Sequence, residues 1–115
     1  MPIILIVDDN NEIRSSLCKI VKIICPEAEI IEAGSGEEGW EKFQEFEPNV
    51  VITDLQMETP DAGLKLSQKI KMVSPSTPVI MVTASAKKES FDFVDYLIPK
   101  PFEIKFLKAT LKNII

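Results

Sequence analysis

Short unbroken runs of apolar residues alternate along this chain with segments whose apolar positions recur at helical spacing. The first run, Ile3-Ile4-Leu5-Ile6-Val7, has the pattern of a strand buried on both faces. Asp8-Asp9-Asn10-Asn11 follows, a polar turn able to cap a helix. Ile13, Leu17, Ile20, Val21 and Ile24 then return at helical spacing, and Pro26 stops the pattern. Glu29–Ala33 predicts a second strand, flanked by charge and so placed at a sheet edge. Ser35 caps a helix whose apolar members are Trp40, Phe43 and Phe46, and Pro48 ends it. Asn49–Thr53 holds Val50-Val51-Ile52, a third buried strand that stops at Asp54. After a loop with Pro60 and Gly63, the residues Leu66, Ile70 and Val73 mark another helix face, closed by Pro75 and Pro78. Val79-Ile80-Met81-Val82 is a fourth buried strand, ending at Thr83. Between Ala84 and Asp95, Phe91, Phe93 and Val94 give a weak helical pattern, so a short or irregular fourth helix is expected there. Tyr96-Leu97-Ile98 predicts a fifth strand, ended by Pro99-Lys100-Pro101. A last helix carries Leu107, Leu111 and Ile114 on one face and Lys105, Lys108 and Lys112 on its exposed side.

Five short strands alternating with helices predict an α/β fold with a parallel sheet and right-handed crossovers. The expected architecture is a flavodoxin-like, three-layer doubly wound sandwich with strand order 2-1-3-4-5. At 115 residues the chain has the length of one domain, taken as residues 1–115. Its 45% hydrophobic and 27% charged residues suit a folded domain and argue against disorder.

Charge and residue types narrow the chemistry. There is no histidine, which removes imidazole metal ligands and every Ser-His or Cys-His pair, and means that the chain is no phosphohistidine carrier. The net charge is −5 and Arg14 is the only arginine, so direct nucleic-acid binding is not expected. Eight glutamates against Lys42 alone between Glu27 and Glu47 read as a solvated acidic face. Cys18 and Cys25, if on one helix, stand about 10.5 Å apart along its axis. A disulfide needs Cα atoms within about 7 Å, so idle thiols in a reducing compartment are expected. The run Ile3–Val7 is too short for a signal peptide and no stretch reaches the length of a membrane span. A cytoplasmic protein without membrane attachment is the expectation.

In open parallel sheets ligands bind beyond the carboxyl ends of the strands. That rule selects Asp8 and Asp9 after the first strand, Asp54 after the third, Thr83 after the fourth and Lys100 after the fifth. Three crowded carboxylates repel one another, and a hard divalent ion relieves the repulsion. Mg²⁺ suits carboxylates, a carbonyl, waters and a phosphoryl oxygen. Lys100 supplies positive charge, the Thr83 hydroxyl can donate, and a carboxylate such as Asp54 can act as nucleophile and hold an acyl phosphate. Each residue alone reads as a cap or a surface charge. Their conjunction at matching strand ends is far more specific.

Through "ILIVDDN", "VVITDLQM", "VIMVTASA" and "IPKPF" the chain resembles the response-regulator receiver domain of two-component phosphorelays over nearly its whole length. The resemblance implies a phosphorylation-dependent signalling switch rather than a metabolic enzyme. Asp54 is then the phosphoacceptor. Asp8, Asp9, Asp54 and the backbone carbonyl of Gln56 hold Mg²⁺, Asp9 more directly than Asp8. Thr83 is the switch hydroxyl and Lys100 the phosphate-pairing cation. The implied partners are a histidine kinase or histidine phosphotransfer protein as donor and a downstream output protein or domain. A cis peptide at Lys100-Pro101 is also implied.

Several positions depart from the family pattern. Met57-Glu58 replaces the usual Met-Pro, and Asp61-Ala62-Gly63 replaces the usual Asp-Gly. The stretch from Thr83 to Lys100 is several residues shorter than usual. The aromatic switch position falls on Leu97, with Tyr96 beside it, and Tyr96 reads equally as a packing residue. Gln56 and Ser85 flank the acceptor and the switch, where the family tunes phosphoryl lifetime. The alternative is a receiver-like interaction module that no longer uses phosphate. A phosphatase of the dehalogenase type is disfavoured, since Leu55 and Gln56 follow Asp54 where that class has a second aspartate.

Overall fold

The apolar runs become strands β1 (Ile3–Val7), β2 (Glu29–Ala33), β3 (Val50–Thr53), β4 (Val79–Thr83) and β5 (Tyr96–Pro99). Around them lie helices α1 (Asn11–Ile24), α2 (Gly36–Phe46), α3 (Ala62–Val73) and α4 (Ile104–Ile114). This is a computed structural model, and it describes residues 1–84, 93–101 and 103–115. The short helix expected after the fourth strand, with Ser85 and Phe91, lies outside the described residues.

The strands form one sheet in the order β2-β1-β3-β4-β5, with every neighbouring pair parallel. Alternate residues of a strand face opposite ways, and this sorts the core into two layers. Ile4, Ile6, Val50, Ile52, Ile80, Val82 and Ile98 meet Leu17 and Val21 of α1 and Leu107 and Leu111 of α4. Leu5, Val7, Val51 and Val79 face the other way, onto Phe43 of α2 and Leu66 and Ile70 of α3. The doubly wound sandwich is therefore as expected. Burying Leu107 and Leu111, both fully inaccessible, contributes about 1.5–3 kcal/mol each.

Local signals set the helix ends. The Asn10 side chain accepts from the Ile13 N–H at 3.0 Å and starts α1. The Ser35 Oγ does the same for the Glu38 N–H and starts α2. Helix α2 stops at Glu47, whose φ of 47° is left-handed, directly before Pro48.

Two residues counted on apolar helix faces are exposed. Ile13 is 36% exposed and Val73 63% exposed. Helices in this fold run back along the sheet, so the first turn of α1 lies at its carboxyl edge and the last turn of α3 at its amino edge. There the sheet offers little to pack against. In β5, Tyr96 packs against the α1/α4 layer, while Leu97, facing the other way, is 41% exposed.

Two sets of bonds hold β5 in place. At its start the Asp95 N–H donates to the Val79 carbonyl at 2.9 Å, and Asp95 Oδ2 accepts from the Val79 N–H at 2.8 Å and from Lys71 Nζ at 2.5 Å. At its end the Lys100 N–H donates to the Thr83 carbonyl at 2.9 Å. Cys18 and Cys25 are both free thiols.

Candidate functional site

The parallel sheet delivers the ends of β1, β3, β4 and β5 to one edge. Asp8, immediately after β1, is tied by its N–H to the Ala33 carbonyl of β2 at 3.1 Å. Asp54, immediately after β3, is tied in the same way to the Val7 carbonyl at 3.0 Å. Ladder bonds thus continue past both strands and fix the two carboxylates side by side. One Asp8 oxygen accepts from the Asn10 N–H at 2.9 Å, and one Asp54 oxygen from the Leu55 N–H at 2.7 Å. The remaining oxygens share a single cation. Lys100 Nζ lies 3.1 Å from Asp54 Oδ2 and 3.3 Å from Asp8 Oδ2. Its peptide bond to Pro101 is cis, in line with the expectation.

Asp9 completes the cluster. Ligand oxygens of Asp8, Asp9 and Asp54 all lie within 4.8 Å of one another. Asp8 is buried and Asp9 exposed. Among the described residues, three carboxylates against one ammonium leave two negative charges, matching one divalent cation. The donor set is all oxygen, as Mg²⁺ requires. Three carboxylate oxygens gathered this closely could serve one small hard cation. Burial pushes the Asp54 carboxyl above the usual aspartate range; Lys100 pulls it back, Asp8 pushes it up further, and the net shift is upward.

Thr83 is buried at the end of β4, beside the backbone of Lys100. Gln56 stands exposed on the loop that leaves Asp54.

Three residues gain roles that their sequence positions did not reveal. Arg14 donates to the Asp8 carbonyl at 2.7 Å, to Asn11 Oδ1 at 2.8 Å and to Glu32 Oε1 at 3.2 Å, bracing the turn that carries the first two aspartates. Gly63 is packed so tightly that a Cβ there would overlap the Asp54 carbonyl oxygen and sit 2.8 Å from its carbon. Glu58 reaches across to α2, where its two oxygens accept from the Gly36 N–H at 2.8 Å and the Glu37 N–H at 3.0 Å. Partial burial opposes the charge on Glu58, but these two bonds outweigh it and hold the carboxyl below the usual glutamate range. A glycine in the first turn of a helix was the one available hint for Gly63. Nothing local distinguishes Arg14 or Glu58 from solvated charges.

Residues 4–112 match the response regulator receiver domain. The chain belongs to that family. Receiver domains of response regulators interact with histidine kinases and output domains. This receiver domain is 34% identical over 87 residues to the probable C4-dicarboxylate response regulator DctR of Bacillus subtilis, a match covering 70% of the chain and 38% of that protein. The chain thus spans little more than a third of that curated relative. The solved N-terminal domain of an uncharacterized protein from Wolinella succinogenes is 33% identical, with a TM-score of 0.85, over 99% of this chain and 94% of that one. The response regulator TrrA of Thermotoga maritima, solved in complex with Mg²⁺–BeF, is 27% identical with a TM-score of 0.89 over 100% of both chains. The aspartate cluster of the present receiver domain fits phosphoryl acceptance. Among the described residues, no helix is long and apolar enough to cross a membrane.

Proposed function

We propose that residues 1–115 form one receiver domain that accepts a phosphoryl group on Asp54 from a phosphohistidine donor. The observation that carries this reading is the bridge of Lys100 Nζ between Asp54 Oδ2 and Asp8 Oδ2, with Asp9 closing an all-oxygen cluster beside it. Asp8, Asp9, Asp54 and the Gln56 carbonyl would hold Mg²⁺, which when bound offsets the negative charge of the entering phosphoryl oxygens. An oxygen of Asp54 attacks phosphorus in line with the leaving imidazole nitrogen. The new O–P bond forms as the P–N bond breaks, and its electron pair returns to the donor's imidazole. Lys100, released from the carboxylates, follows the phosphoryl oxygens. Thr83 supplies a hydroxyl to another of them, and its movement biases a surface that already samples two states. The donor is a histidine kinase or histidine phosphotransfer protein, and the changed surface serves a downstream output partner. The product is a signal, so the chain is a switch rather than a metabolic enzyme. A reducing cytoplasm suits its two free thiols.

A phosphate-independent interaction module is the weaker reading, because the groups that the chemistry needs stand together. The test is an intact mass spectrum after incubation with Mg²⁺ and acetyl phosphate. One added phosphoryl group on the parent and none on Asp54→Asn is expected. No adduct, together with no response to beryllofluoride in Trp40 fluorescence, would leave the interaction module as the better account.

A further inference from the structure

We infer that Glu58 is a positioning residue for the metal site, a latch that fastens the acceptor loop to the start of α2. The inference rests on the proposed function. The loop after Asp54 is pinned at two points. Leu55 is held on one side, its N–H donating to Asp54 Oδ1 at 2.7 Å and its carbonyl accepting from the Gly63 N–H at 2.8 Å. On the other side, Glu58 is held by the two N–H groups of α2, residues 21 and 22 positions away in sequence. Between Leu55 and Glu58 lie only Gln56, whose carbonyl is the candidate fourth protein ligand, and Met57, which closes a tight turn by donating its N–H to the Thr59 carbonyl at 3.0 Å. A carbonyl on a two-residue span fixed at both ends has little freedom. If one end is released, Gln56 swings with the loop.

The same bonds account for the start of α2. The first N–H groups of a helix have no partner within it. Here the Ser35 Oγ takes that of Glu38, and the carboxylate of Glu58 takes those of Gly36 and Glu37. Charge-assisted bonds from a carboxylate to backbone N–H groups are among the stronger ones, and the positive end of the helix favours the anion. The two caps of α2 therefore differ in one respect that an experiment can use. Ser35 is local to the helix, whereas Glu58 joins the helix to the acceptor loop.

The experiment is calorimetric titration of the whole chain with Mg²⁺, in the parent and in Glu58→Ala, Glu58→Gln and Ser35→Ala. Loss of an outer-shell partner costs about 10- to 100-fold in metal affinity. Acting through two residues of backbone, Glu58→Ala should weaken Mg²⁺ binding by about 10-fold, at the low end of that range. Glu58→Gln keeps one acceptor oxygen and should fall between Glu58→Ala and the parent. Ser35→Ala loosens the same helix end without touching the loop and should bind Mg²⁺ as the parent does. Parent-like affinity in both Glu58 variants would overturn the latch and leave the proposed function standing. So would an equal loss in Ser35→Ala, which would trace the effect to helix stability. A parent that takes up no Mg²⁺ would overturn the proposed function and the latch together.

Discussion

Gly63 lies against the backbone carbonyl of Asp54 so closely that no side chain fits between them. The contact joins the first turn of α3 to the residue at the centre of the site. The Gly63 N–H also donates to the Leu55 carbonyl at 2.8 Å. Gly63→Ala should favour the helix by propensity alone, by about 1 kcal/mol. It should nevertheless destabilise the protein by about 1–3 kcal/mol net, because a methyl group overlapping backbone forces α3 and the loop apart. Urea denaturation measures the balance. A variant as stable as the parent would show that α3 shifts freely, and that Gly63 does not hold the loop.

Asp54 binds its proton more tightly in the folded chain than in the unfolded one, chiefly because it is buried. Stability contributed by that proton is present below the ordinary aspartate value of about 3.9 and is lost as pH rises through the elevated one. At pH 7 without metal the Asp54 charge is therefore a liability. Asp54→Asn should stabilise the metal-free protein at that pH and raise its melting midpoint. Lys100 is not orphaned by the change, since Asp8 remains 3.3 Å away. The advantage should shrink to nothing in acid, where the parent's carboxyl is protonated as well. Thermal melts of both proteins at pH 7 and pH 3 give the comparison, and an advantage that persists unchanged in acid would refute this account.

Mg²⁺ should reverse the order of those two melts. A ligand that binds only the folded state stabilises it by about 2.7 kcal/mol at a hundred times its Kd. The parent should gain this in saturating Mg²⁺ and return to its starting midpoint on chelation. Asp9→Ala, which removes the exposed member of the three-aspartate cluster, should lose most of the gain. Equal shifts in parent and variant would place the ion elsewhere.

The thiols should be inert in the native chain. Desolvation by burial and the neighbouring carboxylate of Glu32, partly offset by Arg14, push Cys18 up to about 12. Burial also raises Cys25. The thiolate is the reactive form, so an aromatic disulfide reagent at pH 8 should label neither residue quickly. Unfolding in guanidinium should expose both at once. Fast labelling of the native protein would mean that α1 opens locally.

The fold was legible because its three central strands are buried on both faces. Ile3–Val7, Val50–Thr53 and Val79–Thr83 needed only unbroken apolar runs and the polar residues that stop them. The candidate site was legible because Asp8, Asp54 and Thr83 stand where those runs end, and Lys100 where the shorter run of β5 ends. Periodicity misled at Ile13 and Val73, because a helical stripe does not tell where the supporting sheet stops. Glu58 and Arg14 were illegible for a different reason. Their partners lie on other elements, and a glutamate that grips a distant helix reads in sequence like one that faces water.

The clamps at the two ends of β5 have an evolutionary consequence. Asp95 seats the strand on Val79 and Lys71, and the Lys100 N–H seats its far end on the Thr83 carbonyl. Strand register, and with it the place of the lysine ammonium, is set by these bonds and by the ladder to β4. Side chains on the exposed face of β5, where Leu97 stands 41% accessible, are free of these bonds, so selection can vary that face for a new partner while the ammonium keeps its post between the two aspartates.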